Sequence, residues 1–202
     1  MAIAITVALA LVAAFASVSP VFAQQSARLP VDALRGGGHV ILMRYGAVEM
    51  VQEPSPIDLA NCGVQHRLTD KGRDQARKLG ETFRELNIRV GQVLSSQYCR
   101  ALEYARLAFG SAQPAEVLLH PKYPPVGPAC LVPPPFEQRL EALKQLLATS
   151  PAAGTNTVLV THGLVVRGAT GFDMATGEAA IFRPDGRGGT TLVTRVLLDQ
   201  WR

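Results

Sequence analysis

The segment HVILMRYG, residues 39–46, decides the fold of this chain. Four apolar residues, 40–43, stand between a glycine triplet with His39 on one side and Arg44 on the other. A short apolar run with such boundaries is typical of a buried strand. The strand is expected to end at Arg44, Tyr45 and Gly46, so that charged and aromatic side chains follow directly after a buried element.

Strands and helices alternate along the rest of the chain. Apolar runs predict strands, helical spacing of apolar residues predicts helices, and a glycine-rich turn predicts a terminal hairpin. In chain order, the predicted elements are a helix after Thr69, a strand at 90–95, helices at 98–109 and 136–147, a strand at 157–161, and a hairpin of 179–182 with 191–197. Residues 121–135 hold seven of the 14 prolines, which predicts a loop rather than an element. The alternation predicts an α/β fold, a three-layer sandwich with a mostly parallel central sheet.

Composition excludes several classes of protein. Of the 202 residues, 48% are hydrophobic and 18% are charged, which fits one folded domain and excludes a disordered chain. The net charge of +4 comes without a block of Lys or Arg, so we expect no nucleic-acid partner. The histidines show no metal-ligand spacing and no CxxC pair occurs, so we expect neither a metal nor another cofactor.

The first 23 residues differ from the rest of the chain. They contain no charged side chain, and most of 2–18 is Ala, Val, Leu or Ile. Small or β-branched residues end this segment at Ala23, which is typical of a secretory signal peptide. We expect 1–23 to be removed and 24–202 to form one secreted or periplasmic domain without membrane association. The alternative is an uncleaved membrane anchor, for which the run is short and rich in Ala.

Cys62, Cys99 and Cys130 are odd in number. Outside the cytoplasm, two cysteines are expected to form a disulfide and leave the third free. The sequence leaves the pairing open, and it gives no indication of an oligomeric state.

Three polar side chains stand where the predicted parallel strands end. Arg44 follows the first strand, Arg100 lies in the first turn of the helix after the second, and His162 follows the third. Carboxyl ends of parallel strands meet at one edge of a sheet. Guanidinium groups bind phosphate oxygens in a bidentate way, His donates to a phosphoryl oxygen, and the helix that begins near Tyr98 adds a positive dipole end. Any one of these residues alone is more often structural, but the three together favour a phosphate site.

Four segments resemble motifs of the histidine phosphatase superfamily, branch 1, which has the phosphoglycerate-mutase-like fold. They are LMRYG (42–46), LTDKGRDQA (68–76), LSSQYCRALE (94–103) and VTHG (160–163). The resemblance extends from about Val31 to the C-terminus and is closest to small exported members. It implies that Arg44, Arg100, His162 and Gly163 bind phosphate. It also implies that a His after the first Arg accepts the phosphoryl group, that a carboxylate protonates the leaving group, and that no metal takes part.

Tyr45 stands where the family has its nucleophilic His. Imidazole ionises near pH 6.5 and is plentiful in its neutral, nucleophilic form, whereas only roughly one phenol in a thousand is ionised at pH 7. We therefore place Tyr45 and His162 at the catalytic positions, and expect phosphate monoesters to bind while their hydrolysis is impaired or lost. The general acid is not identified. The carboxylates considered are Glu49, Glu53, Glu116 and Glu137, with Glu103 as a structural partner within its helix and Glu137 on a solvated face.

Two other functions stay open. One is an active phosphomonoester or phosphoprotein phosphatase, in which His162, Tyr45 or water attacks phosphorus. The other is a non-catalytic module that binds a phosphate-bearing ligand. In each case the expected partner is a phosphate-bearing small molecule or a phosphoprotein.

Overall fold

The computed structural model describes residues 31–121 and 134–201, together with the backbone of 125–126. The predicted leader and Cys130 lie outside the described residues. Its strands are β1 (Val40–Arg44), β2 (Val48–Glu49), β3 (Ile57–Asp58), β4 (Arg67–Leu68), β5 (Val90–Ser95), β6 (Gln113–Pro114), β7 (Pro125–Val126), β8 (Asn156–Thr161), β9 (Ala179–Pro184) and β10 (Thr190–Val196). Its helices are α1 (Val31–Gly36), α2 (Asp70–Glu85), α3 (Cys99–Phe109), α4 (Phe136–Leu147) and α5 (Gly163–Thr170).

The central sheet is mostly parallel, as predicted. Its strand order is β10-β9-β1-β8-β5-β6. Strands β1, β8, β5 and β6 run parallel to one another, β9 runs antiparallel to β1, and β9 and β10 form the predicted antiparallel hairpin. In the register of β1 with β8, Arg44 stands opposite Thr161, and Ser95 of β5 stands opposite Val160. The ends of the three strands are therefore level, and the residues that follow them meet at one edge of the sheet.

Two helical layers cover the sheet and complete the predicted sandwich. Side chains alternate along a strand, so Ile41 and Met43 of β1 face one side while Val40 and Leu42 face the other. The first side packs against α2 and α3, and the second packs against α4 and α5. These four residues of β1 are fully buried, because helices lie on both faces of the sheet.

Helix α2 begins at the predicted cap. The Oγ of Thr69 accepts the backbone N–H of Gly72, which satisfies one of the free amides of the first turn. Gly72 also lets the segment after β1 approach the helix, since a Cβ there would lie 2.1 Å from the carbonyl oxygen of Ala47. Helix α2 thereby positions the segment that follows Arg44 and Tyr45.

The proline-rich segment differs from the sequence expectation. Loop was predicted for all of 121–135, but the backbone of β7 pairs with β3. Proline is tolerated there because a two-residue pairing needs few N–H donors. His39 is buried, and its backbone N–H donates to Asn156 Oδ1. Within the described part of the chain, no helix is both long and apolar enough to cross a membrane.

Candidate active site

A cleft of 660 Å³ opens at the carboxyl edge of the sheet. It contains every residue that the sequence assigned to the site, since Arg44, Tyr45, Arg100, His162 and Gly163 all line it. Four separate parts of the chain bring them together: the end of β1, the first turn of α3, the end of β8 and the start of α5. The predicted convergence of the strand ends therefore occurs in the structure.

Arg44 lies against the start of α5. Its Nη1 donates to the carbonyl oxygen of Met174 at 2.7 Å, and its buried Nε has no hydrogen-bond partner among the described residues. A Cβ on Gly163 would lie 3.3 Å from Nη1 of Arg44, so the small residue allows the guanidinium to pack flat against the backbone. Arg44 thus brings a fixed positive charge to the cleft, and one of its donors has no partner among the described residues.

Arg100 is engaged by the protein itself. It is only 2% exposed, its Nε donates to the Tyr45 hydroxyl at 2.9 Å, and its Nη1 donates to Glu53 Oε1 at 2.7 Å. Its guanidinium also lies 4.5 Å from the ring centre of Tyr98. A phosphoryl group that reaches Arg100 must compete with these partners, because a guanidinium has a limited set of donors in a fixed plane.

Glu53 is the residue at this site whose role the sequence did not identify. Its side chain is fully buried, and Oε1 accepts from both Arg100 and the backbone N–H of His66, the latter at 2.9 Å. Its Oε2 lies 3.7 Å from Nε2 of His66 and has no hydrogen-bond partner in the described part of the chain. His66 is fixed in turn, since its Nδ1 accepts the backbone N–H of Val51 at 3.0 Å.

The His162 ring is held on several sides. Its Nε2 shares a hydrogen bond of 2.7 Å with Ser96 Oγ, and its Nδ1 has no partner among the described atoms. The rings of Tyr45, Tyr98 and His120 stand edge-on to it, with centroids 5.3, 4.9 and 5.1 Å away. Burial is the main cause that lowers the pKa of His162 well below 6.5, followed by the positive charge of Arg100. The ring is therefore neutral near pH 7, and it offers a hydrogen bond rather than a charge.

Tyr45 fills the position next to Arg44 with a buried phenol. The residue is 7% exposed, and its hydroxyl oxygen already accepts from Arg100. The oxygen that would attack phosphorus is thus bound to the guanidinium that would hold the phosphoryl group. A phenol in this arrangement orients Arg100, but it is poorly suited to act as a nucleophile.

The other carboxylates considered from the sequence lie away from the cleft. Glu49 is exposed and pairs with Arg67, and Glu103 pairs with Arg73 at 2.7 Å, in keeping with the predicted structural role. Glu116 and Glu137 are exposed and absent from the cleft lining. Among the described residues, the carboxylates that line the cleft are those of Glu53 and Asp173.

A disulfide holds the start of α3, next to Arg100. Cys62 is bonded to Cys99, the first residue of α3, which answers the pairing that the sequence left open. The backbone N–H of Cys99 donates to Gln65 Oε1 at 2.9 Å, so this amide of the predicted helix dipole site is not available to a ligand. The start of α5 lines the cleft instead, through Gly163 and Leu164.

Comparisons with known proteins agree with this geometry. Residues 40–122 match the family model described as the histidine phosphatase superfamily, branch 1. The structure of the protein histidine phosphatase SixA with tungstate superposes with a TM-score of 0.54 at 18% identity, over 81% of this chain and 99% of that one. The product of open reading frame Rv3214 of Mycobacterium tuberculosis gives 0.55 at 19% identity, over 79% and 97%. The chain has a histidine phosphatase fold.

A curated relative is similar in sequence to a part of this chain. The serine/threonine-protein phosphatase Pgam5, mitochondrial, of Drosophila virilis is 37% identical over 67 residues, which are 33% of this chain. The match spans 20% of that relative's length. The chain thus spans about a fifth of the length of this relative.

Proposed function

We propose that this protein is an exported member of branch 1 of the histidine phosphatase superfamily, which binds phosphate monoesters and has lost most or all of its hydrolytic activity. The observation that carries the proposal is the hydrogen bond from Arg100 Nε to the Tyr45 hydroxyl. Through this bond, Tyr45 at the nucleophile position occupies a donor of Arg100, which the proposal needs for phosphate binding.

Phosphate binding is supported by the groups that remain on the floor of the cleft. Arg44 supplies a fixed charge and a free Nε, and His162 supplies an unpartnered Nδ1. Arg100 supplies a second charge once the phosphoryl group displaces Glu53 from Nη1. A dianion on two guanidinium groups gains charge-assisted hydrogen bonds, which are about twice as strong as neutral ones.

Loss of hydrolysis follows from the chemistry of Tyr45 and its neighbours. Family-type turnover needs an imidazole that attacks phosphorus and then releases phosphate to water. Tyr45 offers a phenol whose oxygen is already occupied, and its ester with phosphate would be less labile than a phosphoramidate. His162 does not replace the missing imidazole. If Ser96 Oγ donates to its Nε2, the proton of the neutral ring is on Nδ1, which then donates to the phosphoryl group and does not attack it.

Export is supported by two independent features. The first is the charge-free apolar segment 1–23, which has the pattern of a signal peptide. The second is the disulfide between Cys62 and Cys99, because disulfides persist in oxidising compartments such as the periplasm.

A thermal-shift titration with inorganic phosphate and tungstate tests the binding half of the proposal. The unmodified protein is expected to be stabilised by both anions, and Arg44→Gln to lose this response. Arg67→Gln is the matched control, because Arg67 is exposed and pairs with Glu49 outside the cleft. Absence of any anion response in the unmodified protein would refute phosphate binding.

An active phosphoprotein phosphatase is the second candidate, and the similarity to a serine/threonine-protein phosphatase favours it. Release of phosphate from a phosphoserine peptide separates the two candidates. Release that Arg44→Gln abolishes supports the second candidate, and its absence together with anion binding supports the first.

A further inference from the structure

The cleft has a charged floor, and apolar side chains stand at its rim. Five large apolar side chains are exposed in the described part of the chain, and two of them, Met50 and Leu164, line this cleft. Met50 is 74% exposed and Leu164 is 47% exposed. Val48 and Val51, which are partly buried, lie in the same lining and extend the apolar surface.

Depth separates the two kinds of surface. Arg100 and His162 on the floor are 2% and 1% exposed, whereas Met50 and Leu164 stand at the solvent side. A ligand with a phosphoryl group at the floor therefore projects its ester group past the apolar side chains. Exposed apolar side chains next to polar groups are typical of a binding site, because burying the apolar surface releases water.

Among the described residues, the rim has no Lys or Arg in the cleft lining that would hold a second anion. Among the described lining residues, the fixed positive charges are those of Arg44 and Arg100, both near the floor. The exposed Asp173 adds a negative charge at the rim, where it is paired with Arg167. A ligand with a carboxylate beside its phosphoryl group would meet Asp173 there, and no guanidinium among the described rim residues of the lining.

We propose that the ligand of this cleft is a phosphate monoester whose ester group is apolar and uncharged, such as an aryl or alkyl phosphate. Met50 and Leu164 contact that group and determine the specificity. The inference rests on the proposed function, since it requires a phosphoryl group on Arg44 and Arg100.

Binding of phosphonates, which are not hydrolysed, tests the proposal by isothermal titration calorimetry. Phenylphosphonate is expected to bind roughly tenfold more tightly than methylphosphonate, a difference of about 1.4 kcal/mol. The double variant Met50→Gln/Leu164→Gln is expected to reduce this ratio below about threefold, by weakening the binding of phenylphosphonate more than that of methylphosphonate. Leu192→Gln is the control, because Leu192 is 40% exposed on β10 and is not part of the cleft lining.

A second ligand pair tests the charge of the rim. Propylphosphonate is expected to bind more tightly than 2-carboxyethylphosphonate, which has a similar length and an added carboxylate. Equal affinity for phenyl- and methylphosphonate, or a ratio that the double variant leaves intact, would overturn the apolar specificity. If methylphosphonate itself does not bind, the phosphate floor is absent, and the proposed function fails together with the inference.

Discussion

Replacing Glu53 with glutamine should destabilise the fold and, at the same time, tighten the binding of phosphate. The two effects have one cause. Glu53 and Arg100 form an ion pair of 2.7 Å whose side chains are 0% and 2% exposed. The substitution removes the charge that compensates Arg100 and keeps an oxygen of similar size in its place.

The magnitude follows from the distance and the burial. At 2.7 Å the attraction is about 6 kcal/mol for an effective dielectric constant near 20, and desolvation offsets part of it. Removing one partner of a buried pair costs about 3–5 kcal/mol, and the amide oxygen of glutamine keeps the cost near the lower value. A loss of about 3 kcal/mol lowers the Tm of a domain of this size by roughly 6–12 °C.

Phosphate should restore part of this loss. A dianion no longer competes with a carboxylate for Arg100, and one charge-assisted hydrogen bond is worth about 1.5–3 kcal/mol. The affinity of Glu53→Gln for phosphate should therefore rise roughly tenfold to a hundredfold. In thermal-shift titrations, phosphate should raise the Tm of the variant more than that of the unmodified protein.

Glu49→Gln is the matched control for this experiment, because Glu49 is exposed and its partner Arg67 lies 3.7 Å away. It should change neither the Tm nor the phosphate affinity. If folded Glu53→Gln binds phosphate no more tightly than the unmodified protein, or if its Tm equals that of Glu49→Gln, then Glu53 neither competes with phosphate for Arg100 nor stabilises the fold through it.

Three further perturbations have defined outcomes. Tyr45→Phe removes the oxygen that accepts from buried Arg100, and should lower the unfolding free energy in urea by about 1–3 kcal/mol; an unchanged value would show that the hydrogen bond contributes nothing. Burial, followed by the charge of Arg100, lowers the pKa of His162 below 6.5, so the unfolded chain binds more protons than the folded one. The unfolding free energy should therefore fall as the pH drops below about 6.5, by up to about 1.4 kcal/mol per pH unit, and His162→Gln should reduce that slope; equal slopes would contradict the assignment. Reduction of the disulfide between Cys62 and Cys99, which are 37 residues apart, should cost about 4 kcal/mol, and the double Cys→Ala variant should show the same loss without reductant.

Elements with strong local signals could be predicted from the sequence alone. Strand β5 has the predicted bounds, and α2 begins after the predicted cap residue, Thr69. Both signals come from residues that are close in sequence. The strand is indicated by a short apolar run with clear boundaries, and the helix start by a side chain that accepts the backbone N–H three residues later. Helix α5 was not predicted, because its N-cap residue, His162, makes no capping hydrogen bond and its apolar run is short.

The sequence predicts those site residues whose positions follow from the ends of parallel strands. It does not predict those whose positions depend on the path of a loop. Arg44, Arg100 and His162 meet because parallel strands end at one edge. The pairing of Glu53 with Arg100 joins residues 47 positions apart, and no local pattern indicates which loop carboxylate turns inward. The partner of Cys99 was open for the same reason.

We propose that Tyr45 has removed catalysis from a site that still binds phosphate. The rate of phosphate release from phenyl phosphate by the unmodified protein, with Tyr45→His measured alongside, is the most direct test. The unmodified protein is expected to release no more phosphate than Arg44→Gln, and Tyr45→His is expected to gain turnover. Release by the unmodified protein at the rate of Tyr45→His, abolished in Arg44→Gln, would show that Tyr45 has not removed catalysis.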